Sequence, residues 1–142
     1  MLVEENSRIR NPQRAKQLID FKGLSIDDNI YPTDIDGLIE YHDSEYIIFE
    51  IKYDDAKMPR GQRLALERMA RALTEAGKQA VVFVCEHKVK DKERPVIAAN
   101  CDVREMYYGY KGVWEQPDKK LKADEAVTRF HEYAKFFNNQ HN

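Results

Sequence analysis

The sequence predicts an α/β fold, a central mixed β-sheet flanked by helices. Three observations carry that prediction. Between Thr33 and Tyr53, two runs alternate residues with period two, as half-buried strands do. "MPRGQRLALERMARALTEAGK" then repeats Leu66, Met69, Leu73 and Ala76 at helical spacing, and Gly77 marks its end. "QAVVFVCEHK" follows as a nearly unbroken apolar run, the pattern of a central strand covered on both faces. Strand, helix, strand is a crossover, so these two strands should run parallel with a right-handed connection. A chain of 142 residues suits a single domain, 1–142, with one sizeable core.

The other elements fall into place around that unit. Pro12 to Phe21 reads as a short helix, with Asn11 as N-cap, Pro12 at the first helical position and Gly23 as terminator. Leu24 to Ile30 has the composition of a short first strand. Thr33 to Tyr41 and Tyr46 to Tyr53 pair as a hairpin, with Ile47, Phe49, Ile51 and Tyr53 pointing to the main core. After the crossover, "RPVIAANCDVREMYYGYKGVWEQ" supplies one or two strands with a turn at Gly109 to Gly112. A closing helix spans about Lys122 to Phe137, with Val127, Phe130, Ala134 and Phe137 as its apolar stripe.

Composition excludes several classes. A net charge of −2 makes the whole chain no magnet for nucleic acid, so a nucleic-acid binder of this composition needs a local basic patch. No run of about 18 apolar residues offers a membrane span. The polar start "MLVEENSRIRNPQR" lacks an apolar signal core, which points to the cytoplasm. Cys85 and Cys101 have no CxxC spacing and read as reduced, buried thiols rather than a zinc site.

The hairpin carries charges where a core strand should not. Glu50 and Lys52 interrupt "YIIFEIKY", and Asp36 precedes Gly37 on the partner strand. A three-residue connection pairs Tyr41 with Glu45 and sets Asp36 opposite Glu50; a five-residue connection sets Asp36 opposite Lys52. Either register gathers Asp36, Glu50 and Lys52 in one patch. Two half-buried carboxylates about 5 Å apart repel unless a cation lies between them. Oxygen ligands favour a hard divalent ion, magnesium or manganese. Lys52 beside the pair can hold a water or stabilise charge on a phosphate. Gln62 shares the helix face of Leu66, four residues on, and can reach the sheet where Lys52 sits. The plain alternative is a solvated hairpin face with an ordinary cross-strand ion pair.

Asp36, then Glu50-Ile51-Lys52 after thirteen intervening residues, then Gln62 on the following helix, resembles the PD-(D/E)XK nuclease superfamily. The resemblance covers roughly Pro12 to Val84. It implies a restriction-endonuclease-like core, αβββαβ, here with an extra C-terminal hairpin and helix. "TDIDG" before "FEIKY" is most similar to the small nucleases and Holliday junction resolvases of phages and mobile elements, which places the chain in a bacterial or phage-infected cell. By that resemblance Asp36, Glu50 and the backbone carbonyl of Ile51 bind magnesium or manganese, Lys52 positions the attacking water, and Gln62 supports the site. Ile35 stands where many members have proline. Asp34 competes with Asp36 as the first carboxylate. Many members add an acidic residue from the first helix, where this chain offers Asp20, with Glu4 and Glu5 upstream.

Substrate contacts follow from charge. Lys57, Arg60 and Arg63 cluster in the loop and first helical turn after the site, a setting suited to phosphate. Arg63 can instead pair with Glu67, while Lys57 and Arg60 have no such local partner. Arg14, with Arg8, Arg10 and Lys16, offers a second flank. "YYGY" and Trp114 can stack on bases or pack as core, and His87 and His131 show no partner pattern. The expected function is a metal-dependent nuclease acting on DNA; two active sites in a junction resolvase would imply a homodimer. The other readings are a catalytically silent binding module of the same fold for nucleic acid or protein, and a structural α/β protein with an accidental motif.

Overall fold

In a computed structural model, which describes residues 9–141, the chain forms two compact units, Met1–Asp34 and Ile35–Asn142. Among the described residues the first contains one short helix, α1 (Pro12–Ala15), and not the longer helix to Phe21 that the sequence predicts. Asn11 contributes no side-chain cap, and no α1 residue is buried. A helix without a packed face must carry its own nucleation cost, and one turn is all that forms. Leu24 to Ile30 is no strand either. A single bridge joins Ile26 to Ile30 around Asp27 and Asp28, both left-handed. Glu4, Glu5 and Arg8 lie outside the described residues.

The second unit is an α/β fold with a five-stranded mixed sheet. Its strands are β1 (Gly37–Tyr41), β2 (Glu45–Tyr53), β3 (Gln79–His87), β4 (Asp102–Tyr108) and β5 (Trp114–Glu115), in that spatial order. Two strands precede the crossover helix α2 (Arg60–Glu75), one fewer than the αβββαβ expectation. β2 and β3 are parallel, as the crossover requires, and the other neighbours are antiparallel. The hairpin takes the shorter connection. Tyr41 pairs with Glu45 and Gly37 with Phe49, while His42 and Asp43 adopt the positive φ that the tight turn demands. β1 begins at Gly37, so Asp36 sits one residue ahead of the ladder rather than inside a strand.

Both faces of the sheet are covered. Ile47, Val81, Phe83, Cys85 and Val103 pack with Phe130 and Ala134 of helix α3 (Ala123–His141). Ile48, Val82 and Tyr107 pack with Leu66 and Ala70 of α2. The α2 face that reaches the core is therefore Gln62, Leu66 and Ala70, and Met69 of the predicted stripe is exposed. Pro59 precedes the first turn of α2. At the other end Lys78 N–H donates to the Leu73 carbonyl and Gly77 N–H to Thr74, with Gly77 at φ +89, a Schellman close.

Two details fix how α2 and β4 meet. Gly109 follows β4 so close to α2 that an added Cβ would lie 2.0 Å from Thr74 Oγ1 and 2.7 Å from the Ala70 carbonyl oxygen. The β3–β4 ladder shifts register between Val84 and Cys85: Val84 faces Glu105, Cys85 faces Val103, and Arg104 is the extra residue of a β-bulge. Among the described residues, no helix is long and apolar enough to cross a membrane.

Candidate active site

The charged patch assembles at the carboxyl end of β2. Side chains alternate along the strand, so Glu50 and Lys52 follow Ile48 onto the face that α2 covers. Only 2% of Glu50 is exposed. Lys52 Nζ lies 3.1 Å from Glu50 Oε1 and donates to Gln62 Oε1 at 3.1 Å. Gln62 is placed by the first turn of α2, where it is 91% covered, with 9% exposed. The ammonium is thus held between a strand carboxylate and a helix amide.

Asp36 completes the patch from the other side. Its Oδ2 accepts the Ile51 N–H at 2.7 Å, which fixes the Asp-Gly step against the central residue of Glu50-Ile51-Lys52. The carboxyl of Glu50 is held above the ordinary carboxylate range. Burial is the main cause; the hydrogen bond from Lys52 opposes it, the Asp36 charge adds to it, and Gln62 opposes it again. Glu50 Oε2 is buried with no hydrogen-bond partner. A buried carboxylate oxygen without a partner is costly, and a neighbouring carboxylate makes it more so.

That arrangement fits a hard divalent cation. Asp36 and Glu50 offer two carboxylates, with the Ile51 backbone running between them. Among the described residues no cluster of three or more His, Cys, Asp or Glu side chains gathers as a metal site, so the side-chain donors here number two, Asp36 and Glu50. Cys85 and Cys101 are free and buried, and burial pushes the Cys85 thiol up to about 12.

The remaining predicted residues divide by environment. Lys57 and Arg60 are exposed in the loop and at the start of α2. Arg63 is engaged: it pairs with Glu105 of β4, and its guanidinium lies 4.2 Å above the Trp114 ring. Glu67, the expected partner of Arg63, instead accepts the Trp114 indole N–H. Trp114 is therefore occupied from two sides. Tyr107 is core, Tyr108 packs against Phe83 and Phe130, and Tyr110 stacks on Tyr133. In the first unit, Arg14 is exposed and donates to Gln17, and Asp20 accepts the Lys22 N–H. His131 faces the buried Glu45 at 2.8 Å, and His87 accepts the Val89 N–H.

Sequence reasoning missed Arg104. The bulge turns its guanidinium toward the loop between β2 and α2, where it donates to the carbonyls of Asp54 and Ala56 and to Glu86 Oε2 at 3.1 Å. Asp54 is left-handed, and its N–H donates to the His87 carbonyl. Arg104 thereby ties down the segment joining Lys52 to Gln62. The signal was present in spacing: Val103, Met106 and Tyr108 all pack on the α3 side, three then two residues apart, which a regular strand cannot do. The chain matches no protein-family model, no curated protein and no solved structure.

Proposed function

We propose that this protein is a magnesium- or manganese-dependent nuclease of the PD-(D/E)XK type that hydrolyses phosphodiester bonds in DNA. One observation carries the reading: a buried, unpartnered Glu50 oxygen beside Asp36, with Lys52 clamped between Glu50 and Gln62. A surface ion pair needs neither the burial nor the amide. The β1-β2-α2-β3 order, with the carboxylates at the open end of the hairpin where β1 begins and β2 ends, suits a restriction-endonuclease-like core.

The chemistry follows from the side chains. Asp36, Glu50 and the Ile51 carbonyl would hold the ion, which supplies Lewis acidity toward a phosphoryl oxygen and makes water a better nucleophile. Glu50 and Gln62 together hold the Lys52 ammonium in one orientation. Lys52 orients the attacking water and faces the negative charge that grows on phosphorus oxygens in the transition state. Gln62 fixes the ammonium without adding charge. Lys57 and Arg60 stand at the start of α2, where exposed cations and a helix N-terminus suit the flanking phosphates.

The test is cleavage of single-stranded, duplex, flap and four-way-junction DNA with magnesium, manganese or EDTA, comparing wild type with Lys52→Ala. Metal-dependent cutting lost in Lys52→Ala is expected, and junction preference would make a homodimer the working unit. Cutting that survives Lys52→Ala, or none in wild type, rejects the mechanism. DNA binding without cutting would leave the silent binding module as the reading.

A further inference from the structure

The charges of the second unit are not evenly spread over the two ends of its sheet. At the amino end of β2 and β3, Lys78 is neutralised by Asp43 at 2.9 Å, and Glu45, paired with Gln79 at the strand start, is buried. At the carboxyl end the balance reverses. Lys52 of β2 faces Glu86 of β3, Glu86 faces Asp102 of β4, and Asp102 bridges to Lys122. At about 4.8 Å per strand, this row runs roughly 14 Å from Lys52 to Lys122.

Two exposed loops flank that row. One leaves β3 directly after His87 and carries Lys88, Lys90, Lys92 and Arg94. The other leads to Lys122 and carries Lys119 and Lys120. None of these six cations has an ion-pair partner among the described residues. Lys88 stands two residues past Glu86, the ladder partner of Asp102, and Lys120 two residues before Lys122, its bridge partner, whose ammonium lies 2.9 Å from the Asp102 carboxylate, so both loops abut Asp102. Asp91, Glu93 and Asp118 are interleaved, but Asp91 is spent on its own turn, accepting the Glu93 N–H.

From this placement we infer that the loops after β3 and before α3 form a phosphate-binding tract, centred on Lys88 and Lys120, that carries DNA across the carboxyl end of β3 and the amino end of β4 to Lys52. The inference rests on the nuclease reading and extends it with a substrate path. Lysines on flexible stems are point charges that neutralise phosphates without reading bases, so the tract binds any sequence. Each neutralised phosphate releases counterions, which makes the contribution countable by salt dependence.

The experiment is fluorescence anisotropy of labelled duplex DNA with wild type and the double variant Lys88→Ala/Lys120→Ala in EDTA, from about 50 to 200 mM salt. The double variant should bind more weakly, with a log–log salt slope shallower by about 1.8. Lys135→Ala, at a lysine well along α3 with no ion pair among the described residues, should keep the wild-type slope. In magnesium, the double variant should show raised KM and unchanged kcat. A wild-type slope and affinity in the double variant overturns the tract, even where Lys52→Ala abolishes cutting and the nuclease stands. The reduced slope without any cleavage by wild type would keep the tract and sink the catalytic reading.

Discussion

Arg104→Ala removes a three-way clamp. The guanidinium bonds to the carbonyls of Asp54 and Ala56 and to the Glu86 carboxylate, and its side chain is 20% exposed. Buried charged hydrogen bonds are worth about 1.5–3 kcal/mol each, but these loop carbonyls reach water once released, so about 0.5–1 kcal/mol apiece is the better figure. The sum is about 2 kcal/mol, or roughly 8 °C in Tm for a unit of this size. The larger effect should be on turnover. The clamp sets the loop that joins Lys52 to Gln62, and a misplacement of about 1 Å can cost about 100-fold in rate. Urea melts and cleavage kinetics should therefore show a modest stability loss with a fall of about 10- to 100-fold in kcat. Arg104→Lys should recover little, because one ammonium cannot span two carbonyls and a carboxylate. A destabilised Arg104→Ala with wild-type kcat would reduce Arg104 to a structural residue, and an Arg104→Lys equal to wild type would refute the clamp.

Two further outcomes follow from ionisation. Because burial raises the Glu50 carboxyl in the native state above its 4.5 reference, the folded chain holds that proton more tightly than the unfolded chain does. Metal-free wild type should thus lose stability relative to Glu50→Gln as pH rises from 4.5 through the raised native value, and paired urea melts in EDTA showing the opposite trend would refute the assignment. Burial also raises both thiols, Cys85 to about 12, so neither should react with iodoacetamide at about pH 8 until denaturant is added; rapid native labelling would contradict their placement.

The elements that declared themselves in the sequence are those whose periodicity is enforced by burial. β3 is covered on both faces and reads as continuous apolar sequence; α2 and α3 read from one face each. The Glu50, Lys52 and Gln62 constellation was legible because charges inside "YIIFEIKY" conflict with that burial and need partners. α1 was over-read because proline and asparagine at a helix start say nothing about whether a face will be buried. Met69 was misplaced because its stripe is a wide one, and the sheet meets only the Leu66–Ala70 edge. Arg63 was assigned to substrate because its partners, Glu105 and Trp114, are distant in sequence and meet it only through the β3–β4–β5 pairing. The bulge at Arg104 leaves only an indirect mark, the uneven spacing of Val103, Met106 and Tyr108, because the extra residue is defined by the register between β3 and β4.

The closeness of Gly109 to α2 has a consequence at the far end of that helix. Gln62 and Thr74 stand about 18 Å apart along the helix axis at 1.5 Å per residue. Leu66, wedged into the sheet, is a natural fulcrum about 6 Å from Gln62 and 12 Å from Thr74. A side chain at Gly109 would have to push Ala70 and Thr74 outward. A shift of about 1 Å at Thr74 would swing Gln62 by about 0.5 Å the other way, the tolerance within which a catalytic group must be held. Gly109 is in this sense a remote set-screw for the Lys52 ammonium: a residue with no side chain, just past the end of β4, keeps the lever level.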